Sequence, residues 1–172
     1  MKARTAIFID CENVPAKFWP EIEARAAALG AVNLCRLYGD FTEDRLTRWL
    51  NIARENCLQP VLQLGGKNAA DIAITIAGMD LLHQGKTEAV VLVSSDQDLS
   101  PLAHRLRAAG IKVLGLGNAN TPVALRKACS EFQELGIAAQ DATATKAVAQ
   151  PAAPKQQAPI PPAPKPVAVK AA

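Results

Sequence analysis

The stretch Val90-Val91-Leu92-Val93-Ser94-Ser95-Asp96-Gln97-Asp98-Leu99 restricts the fold of this chain more than any other. Its first four residues are a β-branched and leucine run with no polar side to turn toward water. Such a run suits a central strand of a parallel sheet, covered on both faces. The run stops at two serines and two aspartates, and an apolar-periodic segment follows from 99 to 109. The stretch therefore reads as a buried strand that delivers carboxylates to the start of a helix.

The rest of the chain repeats that alternation. Strands are expected at 5–9, 31–38, 58–64, 88–93 and 111–116, with a short closing strand at 131–135. Helical patterns occupy the segments from Asn13-Val14-Pro15 to Leu29, then 43–56, 69–84, 97–109 and 122–128. Asn13 before Pro15 reads as a helix start, and Gly30 as its stop. Pro60 places the third strand at an outer position, because proline cannot donate to a ladder. The 69–84 segment is apolar nearly all round, so it is expected to be buried on most sides. Alternating strands and helices predict a three-layer α/β/α, Rossmann-like domain around a mainly parallel sheet. With right-handed crossovers the order 3-2-1-4-5 brings the first and fourth strands together, and ligands bind where the order reverses. Asp10 and Asp96 then meet at that point.

Composition sets the limits of this domain. Residues 137–172 hold 7 of the 12 prolines and no aromatic residue, and they carry four lysines against one aspartate. That tail supplies the whole net charge of +3. A segment so poor in apolar bulk cannot repay its ordering entropy, so it is expected to be a disordered tail or linker. Residues 1–136 are balanced in charge and long enough for one substantial core. The four cysteines have no CxxC spacing, which argues against zinc and disulfides and for a reducing, cytoplasmic setting. The N-terminal apolar run is too short for a signal peptide, and no run reaches the length of a membrane span.

Taken singly, each acid has an ordinary explanation. Asp96, Asp98 and Asp71 lie at helix starts, where acids act as caps or dipole partners. Asn13 suits an N-cap, Asp80 lies mid-helix, and Glu12 and Asp40 are loop acids. Together they form a pattern. Asp10 and Asp96 each follow an apolar strand, Asp98 is two residues on, and Asp71 heads the helix that enters the fourth strand. Carboxylates aimed at one crevice repel, and such clusters are held by hard divalent cations, Mg²⁺ or Mn²⁺. With metal bound the crevice can accept a phosphodiester.

Other phosphate sites fail on specific residues. Gly115-Leu116-Gly117-Asn118-Ala119-Asn120 lacks the third glycine of a dinucleotide fingerprint and follows the fifth strand rather than the first. Gly65-Gly66-Lys67-Asn68 is too short for a P-loop. Cys11 adjoins the crevice, but His83 and His104 lie on expected helices far along the chain. Ser94 and Ser95 have no evident base; one of them is expected to hold a carboxylate or a metal-bound water.

Three motifs, Ile7-Phe8-Ile9-Asp10-Cys11-Glu12-Asn13, Lys67-Asn68-Ala69-Ala70-Asp71-Ile72 and Val93-Ser94-Ser95-Asp96-Gln97-Asp98-Leu99-Ser100-Pro101-Leu102, together resemble the NYN-domain family. These are LabA-like members of the PIN-like nuclease superfamily, and the resemblance spans about residues 3–136. It implies a PIN-like fold and metal-dependent cleavage of RNA. Asp10, Asp71, Asp96 and Asp98 match the family's acidic positions, Asn13 matches its D-x-x-N asparagine, and Asp80 falls at a further position that is often acidic. Ser95 departs from the more usual Ser-Gly-Asp. The implied catalytic set is Asp10, Asp71, Asp96, Asp98 and Asn13, the four aspartates holding Mg²⁺ or Mn²⁺. Ser94, Ser95 and Lys67 are expected to support these groups or meet substrate phosphate. Single-stranded or structured RNA is the expected partner, with DNA left open. A homodimer, or an accessory domain or partner protein reached through the tail, is compatible with the chain. The competing reading is a non-catalytic regulatory module that binds RNA or protein with the same fold; the charge balance of residues 1–136 favours it.

Overall fold

The computed structural model describes residues 3–66 and 68–136. Lys67 and the tail expected at 137–172 lie outside the described residues. Six strands form one sheet: β1 (Arg4–Asp10), β2 (Ala31–Gly39), β3 (Gln59–Leu62), β4 (Ala89–Val93), β5 (Lys112–Gly117) and β6 (Glu131–Glu134). Their order is β3-β2-β1-β4-β5-β6, and every pairing is parallel. The helices are α1 (Trp19–Leu29), α2 (Thr47–Asn56), α3 (Ala69–Gln84), α4 (Ser100–Ala108) and α5 (Val123–Ala128). Short 3-10 turns precede α1, α2 and α4. The expected order is thus borne out, and β3 with its Pro60 is an edge strand.

Side chains alternate across a strand, so each strand feeds two cores. Ala6 and Phe8 of β1 and Val90 and Leu92 of β4 pack with Ile74 of α3, Leu102 of α4 and Leu125 of α5. Ile7, Ile9, Val91 and Val93 pack on the other face with Trp19 and Ile22 of α1 and Trp49 of α2. Each large apolar side chain removed from water this way contributes roughly 1.5–3 kcal/mol before entropy is charged. The same alternation directs the residues beyond the strand ends. Asp10 continues the Ala6–Phe8 parity and Ser94 the Val90–Leu92 parity, so both belong to the α3 side of the sheet.

Two expectations change. Asn13 does not cap the first helix: Pro15 stands at the N-cap of the opening 3-10 turn, and no side chain caps it. The reason is a stronger partner, described below. Helix α3 is not buried on most sides, since Ile72 and Ile76 are each 58% exposed. Its sheet-facing surface is complete with Ala70, Ile74, Ala77 and Leu81, and these two isoleucines fall outside it. Among the described residues no helix is long and apolar enough to cross a membrane.

Candidate active site

Asp10 ends β1 fully buried, and four donors converge on it. The backbone N–H groups of Glu12 and Asn13 donate to Oδ1, each at 3.2 Å. Asn13 Nδ2 donates to Oδ2 at 2.6 Å, and Ser94 Oγ donates to the same oxygen at 2.9 Å. Protein donors thus meet both oxygens of Asp10 and fix its orientation. This is where Asn13 spends its amide, in place of a helix cap. Ser94 is itself fully buried and accepts the backbone N–H of Asp96 at 3.1 Å. One hydroxyl therefore links the acid ending β1 to the acid following β4, and the expectation that a serine holds a carboxylate is met by Ser94.

Asp96 caps the 3-10 turn Gln97–Leu99, its Oδ1 accepting the N–H of Asp98 at 2.9 Å. Asp98 in turn accepts Asn68 Nδ2 at 3.2 Å on Oδ2. Asn68 is the left-handed residue before α3, with φ 63°, a conformation that asparagine tolerates better than most residues. In the sequence Asn68 stands only at the end of Gly65-Gly66-Lys67-Asn68 and within the second motif; its contact to Asp98 needed the fold. Asp71 lies in the first turn of α3, and its buried Oδ1 has no hydrogen-bond partner. Burial, then the charges of Asp10, Asp96 and Asp98, push its carboxyl from 3.8 up to about 6. Asp71 therefore lies near enough to Asp10, Asp96 and Asp98 to feel their charge.

Other candidates fall elsewhere. Ser95 Oγ turns away from the acids, accepting the N–H of Asn118 and bonding Thr121 Oγ1, both at 3.0 Å. It holds no carboxylate. Asp80 is exposed nine residues along α3 from Asp71 and borders a different cleft, of about 440 Å³, that is also lined by Arg4 at the start of β1, Arg36 and Lys86. Nothing places it with the other acids. Cys11 is buried, and its thiol is pushed far up, chiefly by burial and then by Asp10, so it has no thiolate to offer.

A family model described as NYN domain matches residues 4–136, which contain every strand and all four aspartates. The chain belongs to the NYN-domain family. The PIN-like superfamily assignment is consistent with it. A solved structure of a protein of unknown function from Vibrio parahaemolyticus aligns to this NYN domain with a TM-score of 0.61 and 19% identity, over 77% of this chain and 93% of that one. At that identity the likeness shows the fold alone. MurG of Acinetobacter baumannii aligns with a TM-score of 0.48 and 15% identity, over 77% of this chain and 41% of that one. No curated protein matches the sequence.

The donor set of this NYN domain is all oxygen, which fits a hard divalent cation rather than zinc or copper. The unpartnered Asp71 Oδ1, buried and faced by three like charges, is the atom such an ion would satisfy. Among the described residues, however, no three acidic, histidine or cysteine side chains stand together tightly enough to grip an ion. Both oxygens of Asp10 and one each of Asp96 and Asp98 are engaged by neighbouring N–H or O–H groups, which hold the acids in place.

Proposed function

We propose that this NYN domain is a metal-dependent ribonuclease that hydrolyses RNA phosphodiester bonds at the carboxylate cluster. The observation that carries the reading is the buried, unpartnered Oδ1 of Asp71, whose carboxyl is lifted to about 6 first by burial and then by the charges of Asp10, Asp96 and Asp98. Capping accounts for Asp96 but not for a buried Asp71 Oδ1 left without a partner. Mg²⁺ or Mn²⁺ held by these four residues would supply activation of water and charge stabilisation on the leaving oxygen.

The chain's own residues have distinct tasks. Asp71 would give its free Oδ1 to the cation or orient the attacking water. Asn13 and Ser94 fix Asp10, while Ser94 also fixes the backbone of Asp96. Asn68 orients Asp98. Lys67, next in sequence, is suited to meet substrate phosphate, although it lies outside the described residues. A cytoplasmic site of action suits four free cysteines, three of them buried.

The competing reading, a binding module without catalysis, is favoured by the spacing of the carboxylates. Incubation with single-stranded and hairpin RNA separates the two. Cleavage is expected with Mn²⁺, lost in EDTA, and lost in Asp96→Asn. Absence of cleavage, or cleavage that survives both EDTA and the substitution, overturns the nuclease reading and leaves the binding module.

A further inference from the structure

A second cleft adjoins the acids on the β5 side. It has a volume of about 340 Å³ and is lined by Asn13, Ser95, Asp96, Gln97, Asn118 and Pro122. Its outer wall is a loop, 118–122, that is fixed in several ways. Ser95 bonds both Asn118 N–H and Thr121 Oγ1. Arg126 donates to the carbonyls of Thr121 at 2.9 Å, Ala119 at 2.8 Å and Asn118 at 3.2 Å. The guanidinium is anchored in turn by Glu134 at 2.7 Å and lies over the Phe132 ring. A loop held by both a neighbouring turn and a buttressed arginine is suited to present its side chains in fixed positions.

Two of the side chains lining the cleft have fixed polarity. Asn118 Oδ1 accepts Asn120 N–H at 2.8 Å, so its free end is the Nδ2 donor. Asn13 Nδ2 donates to Asp10, so its free end is the Oδ1 acceptor. The cleft thus offers one donor and one acceptor that cannot exchange roles, with the Gln97 amide beside them and the Pro122 ring as an apolar surface. No lysine or arginine lines it and Asp96 does, so a phosphate here would meet a carboxylate without compensation. A neutral, flat group with both donors and acceptors on its edge fits better.

Resting on the nuclease reading of the adjoining acids, we propose that this cleft is a subsite for the unpaired nucleobase flanking the scissile phosphate, read by Asn118, Gln97 and Asn13. Asparagine and glutamine amides pair with base edges, and single-stranded RNA exposes those edges. Ser95 then has a reason to carry a side chain: it ties the turn bearing Asp96 to the loop bearing Asn118, so base and phosphate are held in one frame.

The test reads binding without cleavage. The side-chain amide signals of Asn118 and Gln97 are followed by NMR in EDTA, as each of the four ribonucleosides is added, with ribose and inorganic phosphate as controls. Saturable shifts of those amides by one or more nucleosides, and not by ribose or phosphate, are expected. Asn118→Asp keeps the Oδ1 contact to Asn120 but replaces the donor with an acceptor, so the loop is preserved and affinity falls at least tenfold. No nucleoside shifts, equal shifts with phosphate or ribose, or unchanged affinity in Asn118→Asp overturn the subsite. Because no turnover is involved, a failed cleavage assay and a failed subsite are told apart.

Discussion

Ser94 is the residue on which the site turns. Its hydroxyl is both donor to Asp10 and acceptor from Asp96 N–H, within a fully buried environment. Ser94→Ala leaves an oxygen and an N–H short of a partner, so a loss of about 1–3 kcal/mol in urea unfolding is expected. Asp71 behaves in the opposite sense. Its carboxyl is raised from 3.8 to about 6, so the fold favours the protonated form. That contribution is complete below the unfolded value near 3.8 and is lost as pH rises through about 6. Asp71→Asn should therefore stabilise the metal-free protein at about pH 8, by roughly 1 kcal/mol after solvent screening, and scarcely at about pH 4. Thermal melts in EDTA at the two pH values check this; a stabilisation at acid pH of equal size contradicts it. Both residues stood out in the sequence by position, but the sequence did not distinguish the linking serine from its neighbour. Ser94 and Ser95 differ by one step of the strand alternation, and that step sends one to the acids and the other to the β5 loop.

At the scale of the elements, close packing under β5 leaves room for glycine alone. A Cβ on Gly115 would lie 2.6 Å from both Cys129 Sγ and Phe132 Cδ2, where Cys129 is buried and β6 pairs alongside. Gly115→Ala should cost about 1–3 kcal/mol in urea unfolding by forcing β6 away. An unchanged midpoint would show that β6 gives way freely. This glycine belongs to the stretch that resembles a broken dinucleotide fingerprint, and its purpose is close strand packing rather than phosphate binding. Helix α3 was the element least well read from sequence. Uniform apolarity gave it no visible outer face, so burial on most sides was expected. Burial depends on which neighbours arrive, and the sheet covers the Ile74 side while Ile72 and Ile76 stay exposed.

For the whole molecule, charge and stability are coupled through the crevice. A cation bound only by the native protein raises its stability by linkage, about 2.7 kcal/mol at a hundredfold excess over Kd. Mn²⁺ should thus raise the melting temperature at about pH 8, less at about pH 5 where the Asp71 proton competes, and little in Asp10→Asn. An equal shift in Asp10→Asn would place any bound ion elsewhere. The sequence by itself determined the strand–helix alternation, the parallel sheet with its order reversal between β1 and β4, and the four aspartates at strand ends and helix starts. It could do so because hydrophobic periodicity and helix-start chemistry act locally along the chain. Only the tertiary structure decided which partners those residues take. Asn13 gives its amide to Asp10 rather than to a helix, Asn68 reaches Asp98 across thirty residues, and Asp80 ends in a cleft with Arg4, at the other end of β1 from Asp10. Hydrogen bonds and charges between distant segments depend on distances that no local pattern carries. The opening run from Val90 to Leu99 shows both halves: its apolar residues fix the strand, and contacts from β1, α3 and the β5 loop give each polar residue after it a separate task.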